Sequence, residues 1–175
     1  MKPNLFVFDC ESTSLHGQTF AVGGIIIKRS TRIIKNSNSK KILARFQLLA
    51  EEGLPLCNDW VKANVLPQLS DMPTCHTLKE LRTRFYQFYL EHRETCDIFS
   101  DVNFPVETNF LSAVHADDPE TRQYQMPYPL FDIVNHVPLE IDRIQASGLS
   151  GLRKHHPLDD AMASAMCYLK NQKNK

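Results

Sequence analysis

The chain has 175 residues, 42% hydrophobic and 23% charged, with twenty Lys and Arg balanced by twenty Asp and Glu. That suits one folded domain with a real core; it is too short for two full domains and too apolar for a disordered chain. A net charge of zero excludes a polybasic coat protein whose hold on nucleic acid comes from bulk charge. It leaves a nucleic-acid enzyme open, because the charge is unevenly spread. Residues 1–50 carry eight basic and two acidic groups, residues 51–150 seven and sixteen, residues 151–175 five and two.

In chain order, NLFVFD (4–9), TFAVGGIIIK (19–28) and KILARFQLL (41–49) read as strands. An Asn/Ser cluster between the last two marks a turn, so the three form an antiparallel meander. Asn58 or Asp59 caps a short helix through Trp60–Leu66, which Pro67 stops. Thr77 and Glu80 form a capping-box pattern ahead of the amphipathic helix LRTRFYQFYLEH. CDIFSD (96–101) is a strand, Pro105 opens a helix to about His115, and the polar, Pro-rich 116–129 is a loop. PLFDIV (129–134) is a strand or strand ending. His156–Pro157 starts a last helix, LDDAMASAMCYLK, followed by a basic tail from about residue 170. Three strands followed by alternating helices and strands define a single mixed-sheet α/β domain over 1–175.

The apolar run Leu5–Phe8 is far short of a signal-peptide core and is interrupted by Asp9 and Glu11. No stretch approaches the ~20 apolar residues of a membrane span. Cysteines 10, 57, 75, 96 and 167 contain no CxxC pair. They read as reduced thiols of a cytoplasmic protein.

Chemistry gathers at three places. Side chains alternate along a strand, so Asp9 and Glu11 share a face. Two carboxylates at the end of a buried strand repel each other and need a cation; hard oxygen ligands suit Mg²⁺ or Mn²⁺. The competing reading is a solvated acidic pair in a loop. In His155-His156-Pro157-Leu158-Asp159-Asp160-Ala161, Pro157 suits a first helical turn, which puts Asp160 inside the helix and His155 on the loop before it. The small residues Ala161, Ala163, Ser164 and Ala165 let that helix lie close to a sheet. The competing reading, for Asp159 above all, is an acid complementing the helix dipole. In Ser100–Leu111, Asp101 ends a strand and Glu107 lies in a first helical turn, so either brings a further carboxylate.

The order of these three pieces resembles the DEDDh family of 3′–5′ exonucleases, which includes the proofreading subunit of the bacterial replicative polymerase, RNase T and oligoribonuclease. FDCESTSL resembles the first motif, Asp-x-Glu-Thr-Thr-Gly-Leu, and HHPLDDA the third, His-Asn-Ala-Leu-Asp-Asp-Ala. Asn103-Phe104-Pro105-Val106-Glu107-Thr108-Asn109-Phe110-Leu111 keeps the spacing of the second motif but has Glu where Asp is usual. WVKANVLP (60–67) is similar to a segment in a small stand-alone bacterial exoribonuclease branch.

The resemblance implies a ribonuclease H-like mixed five-stranded sheet flanked by helices. It also implies two divalent ions, Mg²⁺ or Mn²⁺, about 3.5–4 Å apart. Asp9 would bridge them, Glu11 and Asp160 would hold the first, and Glu107 or Asp101 the second. His155 would be the general base, with His156 the alternative. Ser12, Thr13 and Leu15 would receive the terminal nucleotide, Leu15 as a wedge or else as a core residue. Arg153 and Lys154 would contact phosphate. The substrate would be the 3′ end of single-stranded DNA or RNA, the products nucleoside 5′-monophosphates, and pairing into a homodimer an expectation from stand-alone members. A nucleic-acid-binding module with weakened catalysis is the alternative.

His16, His92, His115 and His136 read as surface or packing residues, Asp132 as the cap of a turn. Trp60 and the stripe Phe85, Tyr86, Phe88, Tyr89 read as core packing, with base stacking as the alternative. The seven Lys and Arg from Lys28 to Arg45 either attract a phosphate backbone or solvate a sheet edge.

Overall fold

The computed structural model describes residues 1–30 and 41–172. The three early apolar runs form the expected antiparallel meander: β1 (Asn4–Ser12), β2 (Thr19–Lys28) and β3 (Ile42–Ala50). The centre of the basic run, residues 31–40, lies outside the described residues, as does the end of the basic tail. α1 (Asp59–Asn64) is capped by Asn58, whose side chain accepts the Val61 N–H at 2.9 Å. It stops three residues before Pro67, which sits inside a separate turn, Leu66–Gln68, rather than marking the helix end. A missing N–H costs nothing in a first turn, so proline there need not be a terminator.

β4 (Thr74–Cys75) pairs parallel with β3 and brings the five expected strands to six. α2 (Leu78–His92) has the expected cap: Thr77 Oγ1 accepts the Glu80 N–H at 3.1 Å, and Glu80 reaches back to the His76 N–H at 3.2 Å. β5 (Cys96–Ser100) runs parallel to β1. An irregular turn, Asn103–Glu107, follows, so α3 (Thr108–Ala116) begins after Glu107 rather than at Pro105. The segment expected as a loop holds one helical turn, α4 (Pro119–Arg122). β6 (Leu130–Asp132) pairs parallel with β5, and α5 (Arg143–Ser147) and α6 (Pro157–Asn171) complete the chain in a strand order of β4-β3-β2-β1-β5-β6.

The alternation in β1 builds two cores. Phe6, Phe8 and Cys10 pack on one face with Leu81, Phe85, Tyr86 and Tyr89 of α2 and Phe110 and Val114 of α3. Leu5 and Val7 pack on the other with Ala161, Met162, Ala165 and Met166 of α6. Asp9 and Glu11 continue the second set, so period-2 geometry sends them to the face that α6 covers. Gly23, paired with Asp9 across β1 and β2, makes the close approach possible: a Cβ there would lie 2.0 Å from the Leu158 nitrogen. The first turn of α6 therefore rests directly on β2, beside the acids of β1.

β1, β5 and β6 are parallel, and their carboxyl ends meet at one edge of the sheet. Val7 pairs with Phe99 and Ser100 with Asp132, so Asp9 and Glu11 extend past the last β5 partner. A crevice at such strand ends is where α/β sheets present binding groups.

Candidate active site

The four acids arrive from three elements. Asp9 and Glu11 come from the overhanging end of β1, Asp160 from the first turn of α6, and Glu107 from the irregular turn after β5. One ligand atom from each of Asp9, Glu11 and Asp160 lies within 4.8 Å of the other two. Glu107, only 6% exposed, stands beside this triad and accepts hydrogen bonds from its own backbone N–H and that of Cys10.

Burial, more than anything else, raises the pKa of all four. Asp9 is held well above the usual carboxylate range, by burial first and then by Asp160, Glu107, Glu11 and Asp101. Glu11 is pushed up to about 8 by burial, Asp160 and Glu107. Glu107 also rises to about 8 through burial, with Asp101 and Asp132 adding to the shift and its two N–H donors opposing it. Asp160 rises to about 7, again by burial first, although the N–H groups of His155 and His156 donate to it. This is the electrostatics of hard oxygen donors that a divalent cation would neutralise, and the donor set fits Mg²⁺ or Mn²⁺.

Asp101 is engaged differently. Arg143 Nε donates to both its oxygens, at 2.9 and 3.1 Å, while the rest of that guanidinium is taken by the carbonyls of Val137, Pro138 and Ile141. Asp101 thus carries a permanent counter-ion, which Glu107 lacks among the described residues. Arg143 had no signal in the sequence, because a five-residue helix shows no periodicity and its partner lies 42 residues away.

The two histidines separate clearly. His156 is 1% exposed and caps α6, its Nδ1 taking the Asp159 N–H at 3.4 Å. His155 is half-buried and lines a cleft of about 460 Å³ with Asp101, Arg143, Lys154 and Asp160. Burial, and then Lys154, lowers its pKa below the usual imidazole value.

The remaining residues of interest fall around this centre. Ser12 Oγ donates to the Ser14 carbonyl at 2.6 Å, and Thr13 Oγ1 accepts the Gln18 N–H at 3.2 Å, so both hydroxyls close the β1–β2 turn. Leu15, on that turn, is 64% exposed, which removes the core reading. Trp60 is 56% exposed, which overturns core packing for it. Its ring meets that of His155 edge-on, with centroids 5.3 Å apart. The stripe on α2 does pack in the core. Arg153 is bound to Asp71 at 2.8 Å and Asp159 at 2.9 Å, and Lys154 to Asp142 at 2.7 Å, so both cations have carboxylate partners. A cleft of about 850 Å³ between α2, α3 and the β1–β2 turn includes none of the four acids.

Among the described residues no helix is long and apolar enough to cross a membrane. The sequence matches no protein-family model and no curated protein. Among solved structures, the fold is similar to that of a moderately thermophilic Exonuclease I from Methylocaldum szegediense, with a TM-score of 0.59 at 12% identity; the match covers 97% of this chain and 40% of that one. It is equally similar to a full-length 3′-exonuclease, also with a TM-score of 0.59 at 12% identity, over 99% of this chain and 83% of that one. The chain has the mixed α/β fold of these exonucleases and spans less than half the length of the first.

Proposed function

We propose that the chain is a metal-dependent 3′–5′ exonuclease acting on the ends of single-stranded or short nucleic acid. The observation that carries this reading is the approach of Asp9, Glu11 and Asp160 to within 4.8 Å at the carboxyl edge of the sheet. The shared fold with 3′-exonucleases supports it. Asp9, Glu11 and Asp160 would hold the divalent ions, with Glu107 as the fourth ligand. Its burial and raised pKa support this choice, and Asp101, already paired with Arg143, would line the same cleft beside His155 and Asp160. When bound, such ions stabilise the charge developing on the scissile phosphate and on the leaving oxygen.

The protein's own part is then proton management and placement. His155, kept neutral at pH 7 by its lowered pKa, takes the proton of the attacking water on an imidazole nitrogen. The water oxygen forms the new bond to phosphorus and the bond to the 3′ oxygen breaks. This releases a nucleoside 5′-monophosphate and a chain shortened by one. The β1–β2 turn, with Leu15 at its surface, would receive the terminal nucleotide.

The test uses one oligonucleotide labelled at its 5′ end, in DNA and RNA versions, with Mg²⁺, Mn²⁺ or EDTA. Stepwise shortening that needs metal is expected. Binding without shortening would favour a catalytically weak nucleic-acid-binding module instead, and activity unchanged by Asp9→Ala and His155→Ala would defeat the reading. The DNA and RNA arms decide the sugar preference, which depends on contacts to the 2′-hydroxyl.

A further inference from the structure

The loop that bears His155 holds an unusual backbone. Between α5 and α6 three residues have positive φ: Gly148 at 68°, Gly151 at 79° and His155 at 60°. The two glycines adopt this conformation readily, while for His155 it is a conformation that its neighbours must enforce. Besides Asp71 beside the buried His156 ring, two contacts reach the loop from a single outside segment, the stretch from α1 to Asp71.

The first is the edge of the Trp60 ring against His155, at an interplanar angle of 85°. The second is Arg153, two residues before the base. Its Nη1 donates to the Gln68 carbonyl at 3.2 Å and to Asp71 at 2.8 Å. Its Nε and backbone N–H donate to Asp159, at 2.9 and 3.2 Å. One guanidinium thus joins the outside segment to the first turn of α6. The outside segment is itself anchored at the strand end: the Asn58 N–H donates to the Thr13 carbonyl at 3.0 Å, and Val61 and Val65 are buried in the core.

We propose that the segment from Trp60 to Asp71 braces the catalytic loop, and that Trp60 and Arg153 are positioning residues that hold the His155 imidazole beside Asp160. This rests on the exonuclease reading for the role of His155, but the contacts themselves do not. The same two side chains offer a different use, Trp60 stacking on a base and Arg153 binding phosphate. The two uses separate kinetically, because a brace acts on the chemical step and a substrate contact on binding.

The experiment compares wild type, Trp60→Ala, Trp60→Phe, Arg153→Ala and Asp71→Asn on a short oligonucleotide with Mn²⁺, with thermal melts to confirm folding. Trp60→Ala and Arg153→Ala should lower kcat about tenfold or more with KM within about twofold, because small misplacements of a reacting group are costly. Trp60→Phe, which keeps a ring edge, should restore most of the loss, and Asp71→Asn should fall in between. A raised KM with unchanged kcat would overturn the brace, as would no change at all. A second measurement needs no activity: carbethoxylation of His155 by diethyl pyrocarbonate, followed by mass spectrometry. It should accelerate several-fold in Trp60→Ala, and an unchanged rate would also overturn the proposal. If His155→Ala leaves activity intact while this acceleration is seen, the exonuclease role of His155 fails and the brace stands.

Discussion

The clustered acids and His155, the proposed base, are held by opposite means. Asp9 and Glu11 project from a strand hydrogen-bonded to β2 along its whole length, and Asp160 from a helix whose Ala161, Met162 and Ala165 are buried to within 1%. His155 stands on a loop tied down mainly by side chains, among them the Arg153 guanidinium, the Trp60 ring edge and the exposed Lys154–Asp142 pair. Carboxylates that repel each other need a scaffold whose packing outweighs the repulsion, and two hydrophobic cores supply it. A base needs only orientation, which a few contacts give and a single substitution can remove.

The largest effects should come from the groups proposed to take part in the reaction. Asp9→Asn should cost about a thousandfold or more in kcat/KM, and His155→Ala between about 10² and 10⁴. The comparison predicts that the two differ in stability. Asp9→Asn removes a buried carboxylate that its neighbours oppose and should raise the melting temperature of metal-free protein, whereas His155→Ala should leave it nearly unchanged. A fall in melting temperature for Asp9→Asn would show that the acids do not repel as described.

The scaffold can also be broken without touching an acid. Gly23→Ala places a Cβ against the backbone of Pro157 and Leu158, at 2.0–2.5 Å, so the first turn of α6 must move. Crowding of this kind costs about 1–3 kcal/mol, measurable by denaturant unfolding. Activity should fall more than stability alone explains, because Asp160 moves with the turn.

The repulsion has a pH signature. The folded-state values of Glu11 and Glu107, about 8, and Asp160, about 7, lie above their unfolded values of roughly 4. These groups bind protons more tightly when folded. They therefore cost nothing below pH 4, and stability is lost as pH rises toward 8. Melting temperatures in EDTA should decline across that window, and the increment given by Mg²⁺ should grow with pH, because only the ionised carboxylates bind the ion. An increment independent of pH would argue against metal at these acids.

Much of this was legible in the sequence, for local reasons. The alternation in NLFVFDCES fixes which face carries Asp9 and Glu11, and Pro157 fixes the start of α6 and hence the place of Asp160. Thr77 and Glu80 announce α2. What was not legible depends on long-range contact or on elements too short for a period. Trp60 looked like a core residue because a six-residue helix cannot show which face is buried. β4 is two residues long, Arg143 finds Asp101 across the fold, and the choice between His155 and His156 depends on which ring α6 seals.

The smallest expected effect separates two adjacent cations that the sequence treats alike. Arg153 is bound on both sides, to Asp159 with a 13% exposed side chain and to Asp71, whereas among the described residues Lys154 pairs only with the partly exposed Asp142 and is itself 65% exposed. An exposed pair of this kind contributes little to stability and is easily exchanged for another anion. Lys154→Ala should therefore leave the melting temperature and kcat nearly unchanged and raise KM about two- to fivefold at low salt, with the effect fading as salt rises. Arg153→Ala should show the reverse, a loss in kcat that added salt does not mask. If Lys154→Ala also lowered kcat at every salt concentration, the tie from Lys154 to Asp142 at α5 would position His155 as well, and the contrast between a packed scaffold and a lightly tethered His155 would weaken accordingly.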